Sequence, residues 1–332
     1  MTSREKVNRI FRRQSTTTPA FWTGHPSDGT VTNCAAAWGI EATREAIYSR
    51  LGDDCRWITA DGGYCHPDGR PPFDPNHGGI KHCFANTESL AEIDAYPWPD
   101  ARHCDFTQTY AAIDKHPDKM VFTGLWSPFF HNLADFVGME NLFIKMYDCP
   151  EVVEALTTRI TDYYVAANEK FFAGLGDRAD VMFFGNDLGT QLDLLISPEA
   201  FRRFFLPSVK RLAAVGKAHN KLVMLHSCGS IYRIIPDLIE AGIDVLHPIQ
   251  AQAAGMSAVE LAPYKNEIAF LGGIDAQSFF VTATPAEVKA EVRRVRSLLG
   301  PWLVVSPSHE EILPNVPPAN ILAMAEAAKE VY

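Results

Sequence analysis

The sequence has no apolar run approaching the roughly 20 residues of a membrane span. Its amino end, MTSREKVNRIFRRQ, also has no apolar stretch of signal-peptide length. A membrane anchor is therefore not expected, and the chain reads as cytoplasmic. Positive charge is scarce: 30 Lys and Arg against 40 Asp and Glu leave a formal net charge of −10. A general binder of phosphate backbones needs the opposite balance, so nucleic acid is not an expected partner. The seven cysteines, at 34, 55, 65, 83, 104, 149 and 228, are odd in number and lack the dense spacing of a small disulfide-framed domain. Reduced thiols follow. With no linker or low-complexity tail, residues 1–332 read as one domain.

What the sequence does contain is a rhythm. Short apolar runs recur at Ala20–Thr23, Cys55–Thr59, Val121–Gly124, Val181–Phe184, Leu222–Leu225, Val245–His247, Ile268–Leu271 and Leu303–Val305. Between most of them lie amphipathic segments with helix punctuation. In TPAEVKAEVRRVRSLLG, Thr284 and Glu287 form a capping-box pair, Pro285 takes the first helical position, and Val288, Val292, Val295 and Leu299 share a face. SPEAFRRFFLPSVKRL starts the same way with Ser197 and Pro198. Eight such units predict an α/β fold, a (β/α)8 TIM barrel, with an open doubly wound sheet as the competing arrangement. Residues 60–118 break the repeat. Their segment GGYCHPDGRPPFDPNHGG, Gly62–Gly79, is predicted to be a mobile excursion over the barrel mouth after the second strand.

In such barrels chemistry collects where strands end, and the predicted ends carry polar and ionisable side chains. LVMLHSCG stands out. Residues i and i+2 of an extended segment share a side, so His226 and Cys228 can both face the barrel axis while Gly229 permits a tight exit. An imidazole and a thiol suit Zn2+. The competing reading is a core histidine beside a buried cysteine. His309, in SPSHEE after the eighth strand, is a candidate third ligand or a proton donor. Asp187 and Asp275 are candidates to orient a ligand or move a proton, although each can instead cap a local turn or helix. Asn186 and Gln250 are candidate neutral partners to substrate. Trp22 and Trp126 are candidate pocket walls, with core packing the alternative.

At this point the chain resembles the uroporphyrinogen decarboxylase superfamily. The resemblance is carried by HSCGSIYRIIPDLIEAGIDVLHPIQ, LGGIDAQ, SPSHEEILPNVPPANILAMAEA, GNDLGTQLDLLISPEAFRRFFLP and AEIDAYPWPD. It implies a (β/α)8 barrel, in agreement with the strand count. It also implies kinship with the zinc-dependent methyltransferases that work with a corrinoid protein, where an H-x-C pair and a later cysteine bind the metal. His226 and Cys228 match the pair, whereas the later cysteine is replaced at or beside His309. In decarboxylating members an arginine-bearing segment after the first strand grips substrate carboxylates, but here that place reads WTGHPSDGT, without arginine. The expectation is a zinc-dependent methyltransferase moving a methyl group between a small molecule and a corrinoid protein. The alternatives are a decarboxylase of a smaller acid and a non-catalytic ligand-binding barrel. Self-association is left open.

Overall fold

The structure, a computed structural model, describes residues 1–14 and 17–331. Eight strands follow the expected runs: β1 (Ala20–Phe21), β2 (Cys55–Thr59), β3 (Met120–Gly124), β4 (Val181–Gly185), β5 (Leu222–His226), β6 (Val245–Ile249), β7 (Ala269–Ile274) and β8 (Leu303–Pro307). They pair in parallel in the order β1-β8-β7-β6-β5-β4-β3-β2, with helices in the intervals, which makes a (β/α)8 barrel.

Closure between β1 and β2 relies on side chains. Phe21 N–H donates to the Asp54 carboxylate at 2.9 Å and Thr23 N–H to Asp53 Oδ2 at 2.6 Å, while Asp54 N–H returns a bond to the Phe21 carbonyl at 3.0 Å. The first strand is shorter than its apolar run for this reason: the Thr23 amide is taken by a carboxylate rather than by a neighbouring strand.

Side-chain alternation divides the interior from the outer layer. Trp22, Phe122, Phe183, Leu222, Met224 and Leu271 meet inside the barrel. Their neighbours Phe21, Val121, Phe184, Val223 and Leu225 pack outward among the helices. Helix Ser3–Phe11 closes the end from which the strands start. Its Val7, Ile10 and Phe11 join the inner cluster, and Arg4 pairs with Asp180 at 2.5 Å just ahead of β4.

Helix Pro285–Leu299 has the expected capping box and buried face. The helix starting at Ser197 departs from expectation. It makes one turn (Pro198–Ala200), widens to a π-helical stretch over Phe201–Phe205, and resumes at Leu206–Ala218. Pro207 lacks an N–H and its ring crowds the preceding turn, so the ladder must open there.

Residues 60–119 do form a long excursion, but the proline-rich part is anchored. Phe73 packs against Phe136, Tyr163 and Tyr164 at ring separations of 5.9, 5.4 and 5.5 Å. Tyr64 bridges to Cys104 and stacks edge-on against Tyr163. These contacts tie the segment to the flank of helix Pro150–Leu175. Aromatic side chains thus dock a stretch whose glycines and prolines suggested a loose cover.

Candidate metal centre

Parity along β5 carries Leu222, Met224 and then His226 into the barrel, and the same alternation brings in His247 from β6. The two rings meet with Nδ1 to Nδ1 at 3.0 Å. Beyond the strand end Cys228 turns back, placing Sγ 3.3 Å from His226 Nε2. Gly229 makes this turn at φ +82°, and a Cβ there would overlap the Gly189 backbone. Asp187, from the loop after β4, accepts the Cys228 N–H at 2.9 Å and lies 3.2 Å from His226 Nε2. One imidazole nitrogen, one thiol and one carboxylate therefore converge on a single point at the C-terminal mouth.

A second group shares His226 through its other nitrogen. Glu310 Oε2 is 3.6 Å from His226 Nδ1, and His226, His247 and Glu310 form a further cluster of potential donors. Glu310 Oε2 and His247 Nε2 are both buried without a hydrogen-bond partner. Glu310 is held by the loop after β1. Gly24, at φ +84°, lies against the Glu310 carbonyl so closely that a Cβ would overlap it, and His25 N–H donates to the same oxygen.

The electrostatics of the cluster match its donor set. Burial pushes the Cys228 thiol pKa well up, and the charges of Asp187 and Glu310 push it further. Burial alone would raise Asp187, but the His226 hydrogen bond and charge, the Cys228 amide and His131 outweigh it and hold the carboxylate well below its usual range. His247 is driven far down by burial and by its neighbours His226 and His309, so it stays neutral. Two carboxylates and a thiol around two imidazoles form a cation-seeking arrangement, and the N, S and O donors are those that zinc accepts. By donor chemistry and by its unpartnered buried atoms, the cluster fits such an ion.

The other residues singled out from the sequence divide clearly. Trp126 is at the site: its ring lies 5.0 Å from that of His226, and it walls a cavity of about 290 Å³ with Trp57, Thr59, Asp61, Pro128 and Tyr164. Gln250 and His309 line a second, more polar cavity of about 210 Å³. Gln250 accepts the Gly229 N–H and so braces the Cys228 turn. His309 lies outside both donor groups. Its ring centroid is 6.4 Å from that of His226, and its Nδ1 accepts from Glu311 N–H at 3.1 Å.

Three candidates have structural employment instead. Trp22 is 1% exposed and packs inside the barrel against Phe122 and His247, because its place directly after β1 points it inward. Asn186 is engaged at both ends, accepting from Phe130 N–H at 2.8 Å and donating to the Ser127 carbonyl at 3.2 Å. Asp275 accepts from Gln277 N–H, Phe279 N–H and Ser278 Oγ, which orders the start of helix Phe279–Thr282. Of the other residues gathered here, His247 and Asp61 stood in the sequence only as polar strand-end residues without a role, and Glu310 and Trp57 were not singled out. The inward parity of His247 and Trp57 was the available signal; the buried, unpartnered Glu310 oxygen had none.

The profile described as uroporphyrinogen decarboxylase (URO-D) matches residues 86–331. The chain belongs to the uroporphyrinogen decarboxylase family. All members of both donor clusters fall within the matched region. A methylated-thiol–coenzyme M methyltransferase of Methanosarcina mazei is 28% identical over 162 residues, which is 47% of this chain and 39% of that relative. The aligned part thus spans well under half of the curated relative's length. A solved structure titled methyltransferase from Methanosarcina mazei shares the fold, with a TM-score of 0.69 at 15% identity over 99% of this chain and 98% of that one. Among the described residues no helix is long and apolar enough to cross a membrane.

Proposed function

We propose that this member of the uroporphyrinogen decarboxylase family is a zinc-dependent methyltransferase that exchanges a methyl group between a small molecule and the corrinoid of a partner protein. The observation that carries the reading is the convergence of His226 Nε2, Cys228 Sγ and Asp187 Oδ1 beside an aromatic cavity. The methyltransferase relative supports it in kind.

His226 and Cys228 would hold the metal, with Asp187 able to complete the set and Glu310 lying behind the imidazole. When bound, zinc supplies Lewis acidity that favours a thiolate or polarises a heteroatom at neutral pH. The chain's residues prepare that chemistry. His247 and Glu310 face His226 Nδ1, so a proton carried there would find acceptors and leave Nε2 as the donor nitrogen toward a bound metal. Asp187 pins the Cys228 amide and thereby the direction of Sγ. Trp57, Trp126 and Tyr164 keep water from one side of the site. His309, with Nδ1 engaged, has Nε2 to give or take a proton at the polar cavity.

Decarboxylation of a polycarboxylate such as uroporphyrinogen finds less support, whereas metal-free decarboxylation of a smaller acid is the competing reading. Among the described residues, no lysine or arginine lines either cavity at the mouth. Arg44, which reaches the loop after β1, is bound to Asp28 and the Pro26 carbonyl. Several substrate carboxylates would be buried without partners, each costing several kcal/mol. The test is incubation with methylcobalamin plus candidate thiols, and separately with uroporphyrinogen. Zinc-dependent demethylation of methylcobalamin that is lost in Cys228→Ser is expected. Decarboxylation of uroporphyrinogen independent of metal would overturn the proposal.

A further inference from the structure

The cavity beside Trp126 has an unusual lining for an apolar pocket. Trp57 and Trp126 form a tilted pair, with ring centroids 5.2 Å apart and planes at 49°. Tyr164 and Pro128 complete the apolar wall, while Thr59 and Asp61 supply the polar atoms. Burial, with the Asp61 charge adding to it, raises the Tyr164 pKa, so the phenol stays neutral. Its hydroxyl is committed to Asn132 Oδ1 at 2.6 Å. Asp61 is therefore the one carboxyl group of the six lining residues; burial raises its pKa, and the hydrogen bonds from Trp126 N–H and the Thr59 hydroxyl oppose that rise and favour the carboxylate. It is held in place where Trp126 N–H donates to its Oδ1 at 2.9 Å, and it remains exposed at the rim.

We infer that this cavity binds a methylated onium cation, a quaternary ammonium or tertiary sulfonium group, as the small-molecule partner in the proposed methyl transfer. Indole faces carry negative potential and attract cations, most strongly when these are weakly hydrated. A carboxylate at the edge of the pair adds a full opposite charge. An anion would meet Asp61 with nothing to offset it. A neutral aromatic ring would satisfy the indoles but strip water from Asp61 without replacing it. A primary ammonium brings three N–H donors to a lining with few free acceptors, whereas a methylated cation has none to satisfy. The volume, about 290 Å³, suits a small ligand. Because the Trp126 ring that walls the cavity lies 5.0 Å from that of His226, the cavity adjoins the donor cluster with that ring between them. The role as methyl-transfer substrate rests on the function proposed above; the binding preference rests on the cavity.

Calorimetric titration of the purified protein with choline and with 3,3-dimethylbutan-1-ol, its neutral carbon analogue, tests this. Choline is expected to bind about tenfold more tightly or better than the alcohol. Asp61→Asn, which retains an acceptor for Trp126 N–H, should remove most of that preference, and Trp57→Leu should weaken choline about fivefold. Equal binding of the two probes, no saturable choline binding, or full preference in folded Asp61→Asn would overturn the inference. Metal content measured on the same samples separates the two claims. Metal that depends on Cys228, without choline preference, sinks only the onium inference. Choline preference in a protein that binds no metal sinks only the zinc reading.

Discussion

His226 is the residue on which the site turns, since it offers Nε2 to Cys228 and Asp187 and Nδ1 to His247 and Glu310. Residues that hold a ligating imidazole typically change metal affinity by about 10–100-fold when removed. His247→Ala is expected to weaken zinc binding within that range, as measured by competition with a chromogenic chelator; unchanged affinity would show that His247 only fills space. A different titration occurs at the other end of the barrel. Asp53 is fully buried, and burial raises its carboxyl pKa to about 6. Between the unfolded value of about 4 and that figure, the native state holds a proton that the unfolded chain has released. Stability from this group is thus present at low pH and declines as pH rises, by at most about 1.4 kcal/mol per unit. In urea unfolding, the stability advantage of wild type over Asp53→Asn should shrink from pH 4 to pH 7. A pH-independent difference would contradict the assignment.

Among the elements, two connections matter most. The loop after β1 fits against Glu310 only because position 24 is glycine, so Gly24→Ala must displace backbone. A loss of roughly 2 kcal/mol is expected in chemical denaturation, together with reduced metal content, whereas neutral behaviour on both would mean the two loops are not coupled. The excursion after β2 is held by Phe73. Phe73→Ala should cost about 3 kcal/mol if the ring anchors it, and hydrogen exchange of residues 62–79 should accelerate in that variant; exchange already fast in wild type would restore the mobile cover expected from composition. The contrast shows what the sequence conveys. Period and punctuation located the eight strands, since barrel strands are near-continuous apolar runs, and inward parity at His226 was legible from alternation, whereas Cys228 comes to the same point by turning back beyond the strand end. Contacts between distant segments were not. The partners of Phe73, the burial of Glu310 and the stitching of β1 to β2 by Asp53 and Asp54 depend on chain packing that no local pattern encodes.

At the scale of the molecule, the barrel separates stability from chemistry. The strand-starting end is plugged by helix Ser3–Phe11 and tied by ion pairs, while the other end gathers thiol, imidazoles, carboxylates and two small cavities. The central claim is that this end holds a zinc ion through Cys228 and His226. X-ray absorption at the zinc edge measures it directly on protein purified without chelator and reconstituted to one equivalent. One sulfur scatterer at about 2.3 Å with nitrogen or oxygen neighbours at about 2.0–2.2 Å is expected, the sulfur disappearing in Cys228→Ser. A shell of oxygen and nitrogen only, identical in wild type and Cys228→Ser, would contradict it.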